Sequence, residues 1–429
     1  MRTQHYCLLA VILLSIPFIS FGQNHAKGYY KDLFIDGGVL LSSYPDLPAA
    51  NYLNLSVEIF NTSKNEDLNA LDTLIQTLLF SGSEIDENGI LLYPDGAPRF
   101  RMIYTNGGKA TSHGRSLGEK GRENVRRFVA EGGSYLGTCA GAYIASKGFV
   151  KDSGIVDVPE YYGIWPGYTR GTTLNKSFTS LFVEKGSPLL QYYSFGGDMV
   201  IDSVRHNGGC FAWMENNVPK GTEVTLRYDG DTLNIERNIH REVAGWAYKA
   251  SEYDGRVVLI GSHPERVVSG ERLELMSAMI KYALDGNGRP RLKGILENGE
   301  PREMKCSTSD NNPEFTKIGD RQYHHFAVNI PKGTDKITIT ISPQKGWEEF
   351  DLYLFANPET FAFNDNSLYV NVGNGVTKDL TIIKPAAGRL YISVFCATTV
   401  DTEAASYGQQ YTGRLGVLNG VPYTISVFY

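Results

Sequence analysis

Residues 135–146 read YLGTCAGAYIAS. An apolar run ends in Cys139, small residues flank the thiol, and a second apolar stretch follows. Three readings are open for a lone cysteine in so tight a turn: a buried core residue, half of a disulfide, or a nucleophile. Gly137-Thr138-Cys139-Ala140-Gly141 has the form G-x-C-x-G. A nucleophile on a tight strand-to-helix turn takes a strained backbone, and side chains two residues either side would clash, so glycine is needed there. The turn raises the thiol above the sheet. The helix that follows aims its N–H groups and positive dipole end at the sulfur, which favours the reactive thiolate.

A thiol nucleophile needs a base. Gly261-Ser262-His263-Pro264-Glu265 follows the apolar run Val257-Val258-Leu259-Ile260, so His263 is expected at the C-terminal end of a strand. In a parallel sheet that end is where sites form. Glu265, two residues on, is suited to orient the imidazole and stabilise its charged form.

The surrounding chain fits this placement. With 429 residues it is too long for one ordinary hydrophobic core, and two domains are expected. From about residue 30 to 286, short apolar runs alternate with helical stretches. Leu33–Leu40 reads as a strand broken by a turn, and Leu68–Leu79 has helical spacing. Phe100–Tyr104 reads as a strand ending at Asn106-Gly107-Gly108. Gly118–Ala130 is an amphipathic helix, and Glu271–Leu284 is a final helix. Such alternation predicts a mostly parallel sheet with helices on both faces. Near Asp285–Pro290 the composition turns to Gly, Asp, Asn and Pro, as in a linker, and residues 288–304 are assigned to it. From 305 to 429 the runs have period two, separated by turn residues, and predict a β-sandwich.

The N-terminus carries Met1-Arg2, an apolar core from Cys7 to Phe18, and Ser20-Phe21-Gly22 before Gln23. That is the pattern of a secretory signal peptide over residues 1–22, and it predicts an exported, periplasmic or extracellular protein. The apolar core is short for a spanning helix, and no membrane span is expected after its removal. A net charge of −6 offers no basic footprint for nucleic acid. Four cysteines remain beyond the signal: Cys139, Cys210, Cys306 and Cys396. In an oxidising compartment Cys306 and Cys396 are a candidate pair, which leaves Cys139 and Cys210 over.

These motifs together carry a resemblance. GTCAGAYIAS with GSHPE resembles the class I glutamine amidotransferase-like superfamily. Within it, YLGTCAGAY, Ile164-Trp165-Pro166-Gly167, His206-Asn207-Gly208-Gly209 and SHPE, in that order, are similar to the biotin–protein ligase N-terminal-like family, over about residues 30–285. The resemblance implies a Cys139–His263–Glu265 triad on a flavodoxin-like sheet. It also implies an oxyanion hole. Ala140, after the nucleophile, is one donor. The family's second donor lies in a Pro-Gly-Gly turn, here Asn106-Gly107-Gly108 with Asn in place of Pro, which points to Gly108. The C-terminal region resembles the bacterial pre-peptidase C-terminal domain. The matching stretches are Tyr323-His324-His325-Phe326, Phe350-Asp351-Leu352-Tyr353-Leu354 and Pro385–Tyr391. Such a domain carries no catalytic residues and implies contact with cell-surface or extracellular material.

Other residues are less specific. His113, in Thr111-Ser112-His113-Gly114, reads as a solvated loop histidine or a pocket wall. Trp165 reads as substrate wall or as aromatic packing, and so does Tyr162. Cys210 reads as a small buried residue or pocket wall. His206 and His240 have no Cys or carboxylate partners at metal-ligand spacing. No phosphate-binding loop is present, because Gly107-Gly108 does not precede Lys-Ser/Thr. No cofactor is called for. The function expected is that of a cysteine hydrolase acting on an amide or related acyl bond of a small-molecule or peptide substrate. The alternatives are a glutaminase and a non-catalytic binding module on the same scaffold.

Overall fold

The computed structural model describes residues 28–42, 46–62, 69–215, 218–230 and 237–429. The signal peptide expected over 1–22 lies outside the described residues.

Five parallel strands form the middle of the first domain, in the order Val57–Asn61, Lys31–Gly37, Phe100–Thr105, Ser134–Thr138 and Val257–Ile260. Successive residues of a strand point to opposite faces, and each of these strands is apolar on both sides. Leu33, Ile35, Met102, Tyr104, Leu136, Val258 and Ile260 meet the helix Glu271–Leu284 through Leu275, Met276, Met279 and Ile280. Phe34, Ile103, Tyr135, Val257 and Leu259 share the other core with Phe80 and with Val125 and Phe128 of the helix Gly118–Ala130. Burial on both faces is the reason these strands read as continuous apolar runs rather than as alternating ones.

Beyond Val257–Ile260 the pairing changes. Val243–Tyr248, Cys210–Ala212 and the strands that follow pair antiparallel, apart from the parallel pair Gly148–Lys151 and Tyr168–Gly171. The full sheet has fifteen strands and is mixed. The mostly parallel sheet read from the sequence therefore holds for its centre alone. The long stretch between residues 148 and 248 contributes β-hairpins, which lack the helical spacing that would mark a crossover.

The C-terminal domain has two further sheets. One runs Leu292–Ile295, Tyr323–Ile330, Gly388–Cys396, Leu352–Asn357, Tyr369–Asn371; the other Arg302–Met304, Tyr423–Phe428, Lys336–Pro343, Lys378–Ile383. Their period-two faces enclose Phe326, Val328, Ile337, Ile339, Leu354, Ile392, Val394, Ile425 and Val427. Residues 292–295 and 302–304 lie within the span read as a linker, yet they pair with Tyr323–Ile330 and Tyr423–Phe428. These two strands are too short for their period to show against the Gly and Pro around them.

The hairpin Asp401–Ala405/Gly408–Thr412 leaves the sandwich and joins the outer edge of the first sheet. Gly408 pairs with Phe60, and the Asn61 N–H donates to the Tyr407 carbonyl at 2.8 Å. A Cβ on Gly408 would lie 2.1 Å from the Ile59 carbonyl oxygen, and its φ is +130°, so the close approach requires glycine.

The expected Cys306–Cys396 disulfide is not formed: all four described cysteines are free thiols. Cys396 closes the strand Gly388–Cys396 in the sandwich core, and Cys306 lies partly exposed in a loop that bridges to Thr316. Their shared domain suggested a pair, but sequence carries no information on Cα separation.

Candidate active site

The site is built where two adjacent parallel strands end. Ser134–Thr138 and Val257–Ile260 are neighbours in register, with Thr138 opposite Ile260, and the Cys139 N–H donates to the Ile260 carbonyl at 2.9 Å. The cysteine turn and the histidine loop thus emerge side by side. Cys139 has φ 49° and ψ −105°, a strained conformation for a residue with a side chain. The glycines around it are sterically required. A Cβ on Gly137 would fall 2.5 Å from the Gly141 backbone, and one on Gly141 would fall 2.1 Å from the Thr105 carbonyl oxygen. The Tyr135 hydroxyl donates to the Gly141 carbonyl at 2.8 Å and ties the strand to the turn it feeds.

Cys139 is almost buried, and its thiol donates to the Asn207 carbonyl at 3.7 Å. His263 Nδ1 lies 2.9 Å from Glu265 Oε1, and the imidazole is also hydrogen-bonded to the Cys139 thiol. Burial alone would push the imidazole down. The bonds to the Cys139 thiol and to the Glu265 carboxylate outweigh it and push the ring up to about 10. Glu265 is buried, and its second oxygen, Oε2, has no hydrogen-bond partner among the described residues. The structure therefore brings Cys139, His263 and Glu265 into one connected row.

The third element is the turn after Phe100–Thr105. Gly108 bridges Leu41, with Ser42 N–H bonded to the Gly107 carbonyl at 2.7 Å and Lys109 N–H to the Leu40 carbonyl at 3.0 Å. These bonds flank Gly108, and among the described residues no acceptor takes the N–H of Gly108 or of Ala140. Gly107 lies against the His263 ring: a Cβ there would sit 2.4 Å from His263 Cε1 and 3.4 Å from Cys139 Cβ.

A cavity of about 260 Å³ opens over these groups. Ser42, Gly108, Cys139, His263 and Glu265 line it, with Phe178, Arg205, Asn207, Arg266, Val267 and Arg272. A larger groove of about 1230 Å³ runs between the two domains past Tyr93, Asp95 and His325. It contains no cysteine, and His325 is engaged by Ser393 at 2.7 Å. Cys139, His263 and Glu265 line the smaller cavity and not this groove.

Several residues singled out in the sequence lie elsewhere. His113 is neither solvated nor on the cavity wall. It is fully buried in the helix Ala110–Ser116, with Nε2 2.9 Å from Asp36 Oδ2 and Nδ1 3.1 Å from the Val39 carbonyl. Its role is to brace the 38–42 loop, which in turn holds Gly108. Trp165 is not a substrate wall: it is buried against Trp246 at 5.2 Å between ring centroids, and Nε1 donates to Thr222. Tyr162 is buried beside Tyr135. Cys210 is buried off the cavity, and burial pushes its thiol well up. His206 is buried between Thr172 and Ser262, and burial, with His263 nearby, pushes it down to about 4. Asp351 caps turns, accepting from Gly375 N–H at 2.6 Å. Among the described residues no group of three or more His, Cys, Asp or Glu is placed to hold a metal ion, and no helix is long and apolar enough to cross a membrane.

Arg205, Arg266, Arg272 and Phe178 were not foreseen. His206-Asn207-Gly208-Gly209 marked the neighbourhood of Arg205. Nothing local marked Phe178, which reaches the cavity through the hairpin pairing of Ser177–Val183 with Val200–His206.

Residues 62–287 match the family model described as biotin-protein ligase, N terminal. No curated protein matches the chain. Among solved structures, a GMP synthase-type protein from Thermoplasma acidophilum is 14% identical. That match covers 60% of this chain and 96% of the other, at a TM-score of 0.34. The pre-peptidase C-terminal domain of collagenase from Bacillus anthracis is also 14% identical. It covers 33% of this chain and 99% of that domain, at a TM-score of 0.19. PliG from Aeromonas hydrophila, a periplasmic inhibitor of g-type lysozyme, is 16% identical over 32% of this chain and 96% of its own, with a TM-score of 0.19.

Proposed function

The chain belongs to the biotin-protein ligase N-terminal family, and we propose that it is an exported cysteine hydrolase that cleaves an amide or related acyl bond. The observation that carries this reading is the connected row Cys139, His263, Glu265 at the mouth of one cavity. Its fold is read as that of the class I glutamine amidotransferase-like group, and the sandwich as a pre-peptidase C-terminal-type domain. Residues 1–22 are read as the signal that exports it.

In this reading Cys139 passes its thiol proton to His263, the thiolate sulfur attacks the substrate carbonyl carbon, and an S–C bond forms as the C=O π bond breaks. The oxyanion is received by the Gly108 and Ala140 N–H groups, which no acceptor takes among the described residues. The tetrahedral species collapses, the C–N bond breaks, and His263 delivers its proton to the leaving amine. A thioester remains. Water then attacks it, His263 accepts the water proton, and the C–S bond breaks to return Cys139 and release the acid. Glu265 holds Nδ1 of His263 and balances the imidazolium charge. The strained turn presents the thiol in attacking position before substrate arrives. Membership of a family named for a ligase's N-terminal part does not carry ligation with it, since function resides in sites and not folds.

The test is to incubate the protein with periplasmic or extracellular extract and measure the intact mass of the Cys139 peptide. An acyl adduct on Cys139, absent in Cys139→Ala, is the expected result, and its mass identifies the substrate class. Iodoacetamide that spares Cys139 at neutral pH would count against the nucleophile.

A further inference from the structure

We infer that the cavity at Cys139 selects acyl substrates carrying an anionic group, a carboxylate or a phosphate, close to the scissile carbonyl. This rests on the reading of Cys139 as a nucleophile. Three arginines, Arg205, Arg266 and Arg272, are among the residues that line a space of only about 260 Å³. Glu265 is the one carboxylate in that lining, and it is committed to His263. Neither Arg205 nor Arg272 enters an ion pair among the described residues. Arg272 donates one N–H to the Ser203 carbonyl at 3.0 Å, its one side-chain hydrogen bond among the described residues.

The position of these charges ties them to the reacting atoms. Arg205 is bridged to the base itself, with the His263 backbone N–H donating to the Arg205 carbonyl at 2.8 Å. The bridge fixes the Arg205 backbone beside that of His263. Asp198, Asp202 and Glu271 form a separate group outside the lining, where burial first and the other carboxylates next push Glu271 up. Like charges crowded into one small space repel, and an anion removes that cost while accepting paired N–H donors. Phe178, 58% exposed, and Val267 complete the wall. They suit a small apolar part between the anion and the carbonyl.

The experiment compares alkylation of Cys139 in the full chain by iodoacetate and by iodoacetamide, reagents of similar size that differ in charge. Each rate is read by mass spectrometry of the Cys139 peptide. Iodoacetate is expected to react faster by about tenfold at low salt, as electrostatic focusing predicts. In the Arg205→Gln/Arg272→Gln double variant the ratio of the two rates is expected to fall toward one. Should the variant not fold, salt on the unaltered protein serves instead: raising ionic strength to about 1 M selectively slows iodoacetate. Protection by glutarate or by inorganic phosphate, at matched ionic strength, distinguishes a carboxylate from a phosphate; protection by neither overturns the inference. Labelling by neither reagent removes the nucleophile and the inference together. Equal rates, or a ratio that survives both the double variant and salt, leave the nucleophile standing and overturn the anionic selectivity alone.

Discussion

The smallest groups in the site are the most constrained. Gly107 has no side chain because His263 occupies the space, with Cε1 2.4 Å from where a Cβ would lie. Gly107→Ala should displace the imidazole and slow Cys139 alkylation by about 100-fold, the usual cost of a misplacement near 1 Å. Circular dichroism should show the fold retained, and an alkylation rate within twofold of the parent would refute this contact. His263 makes a second prediction. Its folded-state pKa is raised above the ordinary 6.5, to about 10. A group raised in this way contributes stability that is complete below 6.5 and is lost as pH rises through 10. Melting temperature should therefore fall between pH 6.5 and 10, and Glu265→Gln, which removes one partner, should flatten that slope; parallel curves would sink the assignment. At this scale much was legible. Cys139, His263 and Glu265 each sit in a short local motif, because a strained turn and a strand end demand particular residues at fixed offsets. His113 was misread for the opposite reason. Its partner Asp36 lies 77 positions earlier in the chain and meets it only through packing.

Among the elements, the two strands that carry the motifs were readable as continuous apolar runs, since both their faces are buried. That they are neighbours was not readable. Val257, where the second strand starts, lies 118 positions after Cys139, and pairing over such distances leaves no local trace. The same holds for the hairpin Asp401–Ala405/Gly408–Thr412, whose composition reads as sandwich while its edge pairs with Val57–Asn61. Gly408 is its point of approach. Gly408→Val meets the Ile59 carbonyl and an unfavourable φ together, a cost of about 1–3 kcal/mol. Hydrogen exchange should then speed at the Asn61 amide and along the hairpin, while Cys139 alkylation keeps its rate. Exchange at Asn61 equal to that of the parent would show that the pairing does not protect this edge.

At the scale of the molecule, the free thiols give a direct test. Alkylation in denaturant without reductant should modify Cys306 and Cys396 as well as Cys139 and Cys210, and a mass two daltons lower with Cys306 and Cys396 protected would restore the disulfide. The two domains are joined by more than their connecting chain. Lys293, from the span read as linker, pairs with Asp95 of the first domain, and the hairpin extends the first sheet across the boundary. Sequence alone determined the cysteine turn, the histidine and its carboxylate, the alternation that builds the parallel centre, and the period-two sandwich, because each is written in spacings shorter than one element. Only the tertiary structure decided which strands lie side by side, that the distant hairpins bring Arg205 and Phe178 to the thiol, and that Cys306 and Cys396 remain apart. Those outcomes depend on long-range pairing and on burial shared between distant segments, which no local spacing encodes.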